Sequence, residues 1–332
     1  MYKFKLHTIK REYKNNLQIT NTINENYNNK IPTIINKQPL VLILRGHIRD
    51  SFDDNRLYNF IVYLKQKFKL YIFIHTWNVK SNNISWRTIK KDNSIVDERV
   101  IIDYFKNIDI AKIIIDNDAT NLKINGIVEG NIKTTLMPIK GWKNMWYGLN
   151  RLCEYILSNL KNINLNENTY TLNTRFDYFT NSTITQYVKN PTNYNFMNKI
   201  FNFSSETLMF LHNPPHYYGI DNLYFGKFYK MFYTVTLFHT NLDSIIDCYD
   251  YIHAQEKLVY LIQPYINTYC DNSIYDKDHV LKTIEIVLIK MNDKMIINYS
   301  HPKQGHPKQG HPKQGHSKQG HPNCLNHRLV IV

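Results

Sequence analysis

PLVLILRG, Pro39–Gly46, is the stretch on which the fold turns. Five consecutive aliphatic residues stand between a proline and an Arg-Gly pair. The run is too short for a membrane span and shows no polar alternation, so it reads as a strand buried on both faces, the kind found in parallel sheets. Downstream, Asp53 or Asp54 can cap a helix that carries Leu57, Phe60, Ile61, Leu64 and Phe68 along one face. KLYIFIHTW, Lys69–Trp77, is a second buried run. Strand, helix and strand within roughly forty residues make a βαβ unit with a right-handed crossover.

The alternation continues outward from this unit. Asp97–Asn107 reads as a helix and AKIIIDND, Ala111–Asp118, as a third strand running into acidic turn residues. Residues 119–140 read as a long loop or irregular hairpin. A helix then carries Trp142, Met145, Trp146, Leu149, Leu152, Cys153, Ile156 and Leu160 at spacings of three and four, an aromatic stripe that is core before it is anything else. TYTLNTRFDYF, Thr169–Phe179, and TLMFLH, Thr207–His212, read as strands. Asp221–Phe238 and His253–Ile266 read as helices, and the apolar runs near 283–299 as a closing strand or hairpin. The expected fold class is α/β with a mostly parallel sheet in a single domain, residues 38–300. Residues 1–37, rich in Asn and Lys, are expected to form a loosely ordered N-terminal lead. Residues 301–332 repeat HPKQG with no apolar residue in the repeats, which cannot build a core, so a disordered tail is expected.

Composition narrows the function classes. The chain has 332 residues, 43% hydrophobic and 20% charged, which is globular by composition. No run reaches the roughly 20 apolar residues of a spanning helix, and the first residues lack the apolar segment of a secretory signal. A cytoplasmic location is expected, in a host cell or a virion if the source is viral. Asn and Ile occur 42 times each and Ala three times, a codon bias pointing to an A/T-rich genome such as that of a large DNA virus or a parasite. Four dispersed cysteines form neither a zinc pattern nor a dithiol pair. The net charge is +14, of which 301–332 supply +5 from four Lys and one Arg without an acid. The remaining basic residues are spread out, so nucleic acid is not the expected partner, whereas anionic small molecules such as nucleotide diphosphates are.

Ligands of open α/β sheets bind beyond the carboxyl ends of the strands. The first strand delivers Arg45, Gly46, His47 and Arg49 there, the second delivers His75, Thr76 and Trp77, and the strand near 175 delivers Arg175 and Asp177. Arginines fork onto phosphate oxygens, glycine lets a ligand approach the backbone, and a carboxylate can hold Mg²⁺ or Mn²⁺ against a diphosphate. Taken singly, Arg45 could be a surface residue, His75 a hydrogen-bonded core histidine, and Asp177 a turn former paired with Arg175.

LILRGHIRDSF, YIFIHTW, LNTRFDYF, IDNLYFGKFYKM and AQEKL, in that order over residues 38–290, resemble a glycosyltransferase-like family of large DNA viruses and bacterial surface-polysaccharide loci that includes the WavE-type lipopolysaccharide-synthesis proteins. The resemblance implies a GT-A-like, Rossmann-like fold, a nucleotide-sugar donor over the first strands and a divalent metal, Mn or Mg. It also implies a glycan or glycoprotein acceptor and a transferase of the hexosyltransferase type. By that resemblance Arg45, Gly46 and Arg49 meet the nucleotide or diphosphate, joined by His75 and Arg175, and Asp177 is the metal-side acid. Asp221 and Asn222 face sugar or acceptor, with Asp221 and Glu256 as candidate bases. Asp221 could equally be the acid that opens a helix. Arg175-Phe176-Asp177 has one acid where the family's D-x-D type has two, which keeps a second expectation open: a catalytically inactive, glycan-binding or virion-associated relative.

Overall fold

The computed structural model describes residues 37–84, 90–117, 122, 124–132, 136–180, 209–210, 223–248, 255–273 and 277–300. The chain divides into two units, Met1–Gln38 and Pro39–Val332, and the architecture below is that of the second. Its described elements are β1 (Pro39–Arg45), α1 (Arg56–Lys67), β2 (Lys69–Trp77), β3 (Val79–Ser81), β4 (Asp92–Ile95), α2 (Glu98–Phe105), β5 (Lys112–Asp116), α3 (Ile139–Asn159), β6 (Tyr170–Arg175), β7 (Met209–Phe210), β8 (Leu223–Lys227), α4 (Phe228–Cys248), α5 (Gln255–Tyr269) and α6 (Lys277–Ser300). Six strands form one sheet in the order β5-β2-β1-β6-β8-β7, and β3 and β4 form a separate antiparallel pair. β5, β2, β1 and β6 are mutually parallel, and β8 runs antiparallel between β6 and β7.

β1 lies inside the sheet because its residues are buried on both faces. Leu40, Leu42 and Leu44 pack with Leu57, Phe60, Ile61 and Leu64 of α1 and Ile101 and Phe105 of α2. Val41 and Ile43 pack on the opposite side with Trp146, Leu149, Leu152 and Cys153 of α3, and the same core takes in α4, α5 and α6. Period-2 alternation of the strand thus feeds two cores. Each fully buried aliphatic adds about 1.5–3 kcal/mol of transfer free energy, so a five-residue run is a strong anchor. α2 begins where Asp97 accepts the Val100 amide at 2.9 Å, a side-chain N-cap. At the start of α1 the N-cap position is Asn55, and it is Asp54 that accepts the Arg56 amide at 2.8 Å.

Two expectations are corrected. The segment after Asn222 does not open a helix: Leu223–Lys227 is strand β8, and the helix starts at Phe228. Leu223 and Phe225 enter one core and Tyr224 the other, so the strand is apolar on both faces and its period is invisible in the sequence. Residues 277–300 form one helix, α6, where a strand or hairpin was expected. Val280, Ile284, Val287 and Met291 are buried at spacings of four, three and four, which is a helical face. The strand expected over Thr169–Phe179 ends at Arg175, and Phe176–Tyr178 turn into a 3-10 helix. The antiparallel pair β3–β4 was not anticipated.

Candidate functional site

The order of the central strands sets β1 and β6 side by side at the point where the connections reverse direction. From β1 the chain moves outward through β2 to β5, then returns across the sheet to place β6 on the other side of β1. In open α/β sheets the carboxyl ends of two such neighbouring strands are where ligands bind. The polar residues expected to bind cluster at these two ends.

After β1 the backbone reverses at Gly46, which has φ +93°, a conformation that side chains with a Cβ rarely adopt. A Cβ there would meet nothing within 4 Å, so the glycine is required for its backbone and not for space. The Gly46 amide donates to the His75 carbonyl at 3.2 Å, and the Thr76 hydroxyl donates to the Gly46 carbonyl at 2.9 Å. This lashes the turn to β2. Arg49 follows with φ +51°, an uncommon conformation for a residue with a side chain, and begins a 3-10 turn, Arg49–Phe52. That turn meets the one after β6: Phe52 stands edge-on to Phe176 at 5.7 Å, and the Arg56 guanidinium donates to the Phe179 carbonyl at 2.6 Å.

The two turns bring Arg49, Arg175 and Asp177 together. Arg175 donates through Nε to Asp177 Oδ1 and through Nη2 to Oδ2, both at 2.7 Å. Arg49 Nη1 donates to Oδ2 at 2.5 Å. Asp177 is buried, and burial alone would raise its pKa. The charges and hydrogen bonds of Arg175 and Arg49 outweigh this and hold the carboxyl well below the usual carboxylate range. Burial acts the other way on Arg49, lowering its pKa, although Asp177 opposes the shift.

A divalent metal was expected at Asp177, and the arrangement does not fit one. Both carboxylate oxygens are already engaged by guanidinium groups, and two positive charges stand where a cation would need further oxygens. Among the described residues, no three His, Cys, Asp or Glu side chains come together as a ligand set.

Arg45 and His75, expected to meet the ligand, sit underneath it. Arg45 is in register with His75 on one side and Arg175 on the other, which puts the three on one face at one level of the sheet. Arg45 is 4% exposed; its Nε donates to Asn173 Oδ1 at 3.1 Å, and its guanidinium lies 5.8 Å from the Tyr224 ring centre. His75 is 1% exposed, and its Nε2 lies 3.0 Å from Asp116 Oδ2. Burial lowers the His75 pKa in spite of Asp116, so the ring is neutral at neutral pH. A carboxylate only accepts, so Nε2 carries the hydrogen and donates it to Asp116. Asp116 also takes a hydrogen bond from Arg151 of α3. Gly148 makes room for this ring: a Cβ there would stand 2.3 Å from His75 Nδ1.

Sequence reading missed Asp116, Arg151, Gly148 and Asn173 as supports. Asp116 ends β5 as Arg45 ends β1, so strand-end position was its available signal. Arg151 and Gly148 were masked by the aromatic stripe of α3. Asp221 and Asn222 lie outside the described residues. Glu256 belongs to α5, but its side chain lies outside the described part. Beyond the ends of β2 and β5 opens a cavity of about 450 Å³, lined by Asn78, Asn82, Asn117, Lys91 and Lys140 among others. Its amides and ammonium groups suit an oxygen-rich, negatively charged ligand. A scan of protein-family models finds no match, and searches of curated proteins and of solved structures return no relative.

Proposed function

We propose that this chain is a nucleotide-sugar-dependent glycosyltransferase of the hexosyltransferase type, acting on a glycan or glycoprotein acceptor through a GT-A-like domain. The observation that carries the reading is the meeting of Arg49, Arg175 and Asp177 at the strand ends where the strand order reverses between β1 and β6. Open α/β sheets bind phosphorylated ligands at that place. Planar guanidinium groups match phosphate oxygens there better than ammonium groups would. Gly46 lets the donor approach the backbone. The divalent metal of the GT-A resemblance has no place in this account, because both oxygens of Asp177 are held by guanidinium groups whose positive charge a cation would have to displace.

In the reaction the bond between the anomeric carbon and the β-phosphate oxygen breaks, and its electron pair stays on the diphosphate. Arg49 and Arg175 stabilise that growing charge. The acceptor hydroxyl oxygen forms the new bond to the anomeric carbon and gives its proton to a carboxylate, for which Asp221 and Glu256 are the candidates. Arg45 and His75 form a buried floor at the strand ends, with Asp116 and Arg151 bracing His75. Asn222 is the candidate contact for the sugar or acceptor.

The test is a thermal-shift panel of nucleotide-sugars with the full chain, followed by a donor-hydrolysis assay on whichever compounds raise Tm. The reading expects at least one donor to stabilise the protein and to be cleaved, and Asp177→Ala to abolish both. A panel without any shift removes it. A second reading, an inactive glycan-binding relative, is favoured by Asp177 being enclosed between two arginines. Donor binding without cleavage, with any acceptor offered, would select it. The described residues contain no helix long and apolar enough to cross a membrane.

A further inference from the structure

We infer that Asp177 is a positioning carboxylate, and that Arg49 and Arg175 form a metal-free clamp for a diphosphate. The inference rests on the glycosyltransferase reading and deepens it at the one point where the resemblance and the geometry disagree. Asp177 uses one oxygen for Arg175 alone and shares the other between Arg175 and Arg49. One aspartate therefore sets the planes of two guanidinium groups, and Asp50 adds a further attraction to Arg49.

The spare donors are on Arg49. Its Nη1 is used, and its Nε is buried without a hydrogen-bond partner among the described residues. A buried donor left unmade is costly, so an incoming oxygen that accepts from it gains more than it would at an exposed arginine. The main chain commits to this placement, since Arg49 holds a positive φ of 51°. A diphosphate presents oxygens from two phosphorus centres, which matches two guanidinium groups set side by side. A divalent cation would have to take Asp177 away from both arginines and then sit beside them. The clamp does instead what a metal does in the D-x-D type of site: it holds negative charge where the leaving group departs.

The experiment is isothermal titration of the full chain with inorganic pyrophosphate, once in excess EDTA and once in Mg²⁺ or Mn²⁺. Wild type is expected to bind in EDTA, with affinity changed less than about threefold by metal. Arg49→Lys keeps the charge and loses the fork, so binding should weaken about tenfold or more. Asp177→Asn should weaken it in EDTA without rescue by metal, whereas Asp177→Glu should restore part of it. Near-UV circular dichroism confirms that each variant is folded, and a variant that fails this check is replaced by Arg175→Lys, for which the same loss is expected. Binding that appears only with metal, and is lost in Asp177→Asn while Arg49→Lys binds normally, would overturn the clamp and leave the glycosyltransferase reading standing. No binding of pyrophosphate or of any nucleotide-sugar under either condition would remove both.

Discussion

Asp177 and His75 are both buried, yet they titrate for opposite reasons. Asp177 is kept ionised by Arg175 and Arg49, so its folded pKa lies below its unfolded one. Its contribution is present above the unfolded carboxylate pKa of about 3.9 and is lost progressively as pH falls below that value. His75 is kept neutral by burial, so its folded pKa also lies below its unfolded one. Below the unfolded value of about 6.5 the unfolded chain takes up a proton that the folded chain refuses, and stability falls there too. Chemical denaturation across pH should therefore show two losses on acidification, the upper one reduced in His75→Gln and the lower one reduced in Asp177→Asn, where Asp54 and Asp116 still contribute. At neutral pH, Asp177→Asn should itself cost about 3 kcal/mol, because two partly buried guanidinium groups lose their shared counter-charge. Gly148→Ala should cost about 1–3 kcal/mol in urea unfolding, since the added methyl would overlap the His75 ring.

At the scale of elements, what could be read from the sequence tracks how each element is buried. β1, β2 and α3 were legible: unbroken aliphatic runs mark strands covered on both sides, and a stripe at spacings of three and four marks a helix. β8 was not, because Leu223, Tyr224 and Phe225 go to alternate cores and an apolar strand of that kind matches the start of a helix equally well. α6 was misread because its apolar residues crowd together as TIEIVLIK, although among the described residues Val280, Ile284, Val287 and Met291 face the core at helical spacing, with Leu288 partly buried beside them. The helical reading predicts that Ile284→Ala costs about 2–4 kcal/mol, the range of a buried large-to-small change. Ile286→Ala on the same helix is 46% exposed and should stay within about 0.5 kcal/mol. A strand with the alternation of TIEIV would put both on one face and give similar losses. The clustering of Arg49, Arg175 and Asp177 was legible as strand-end chemistry. That the aspartate serves the arginines was not, because sequence gives neighbours along the chain and not the turn that carries Arg49 over to β6.

For the molecule as a whole, a sheet with two cores supplies a rigid floor, and the chemistry sits on the turns at one end of it. The order β5-β2-β1-β6 is what brings Arg49 and Asp177 within hydrogen-bonding distance although 128 positions separate them along the chain. The HPKQG repeats lie outside the described residues, and their composition offers nothing to hold a reacting group in place. Removing 301–332 should leave Tm and donor-induced stabilisation unchanged. It would lower affinity for DNA or RNA, with a reduced salt slope, only if the basic charge served nucleic acid.

The most direct measurement is a crystal structure of the chain with a bound nucleoside diphosphate in a metal-free buffer. The account predicts phosphate oxygens about 2.8 Å from the guanidinium nitrogens of Arg49 and Arg175, with Asp177 still between them. A diphosphate held elsewhere on the molecule, or Asp177 released from both arginines, would contradict it.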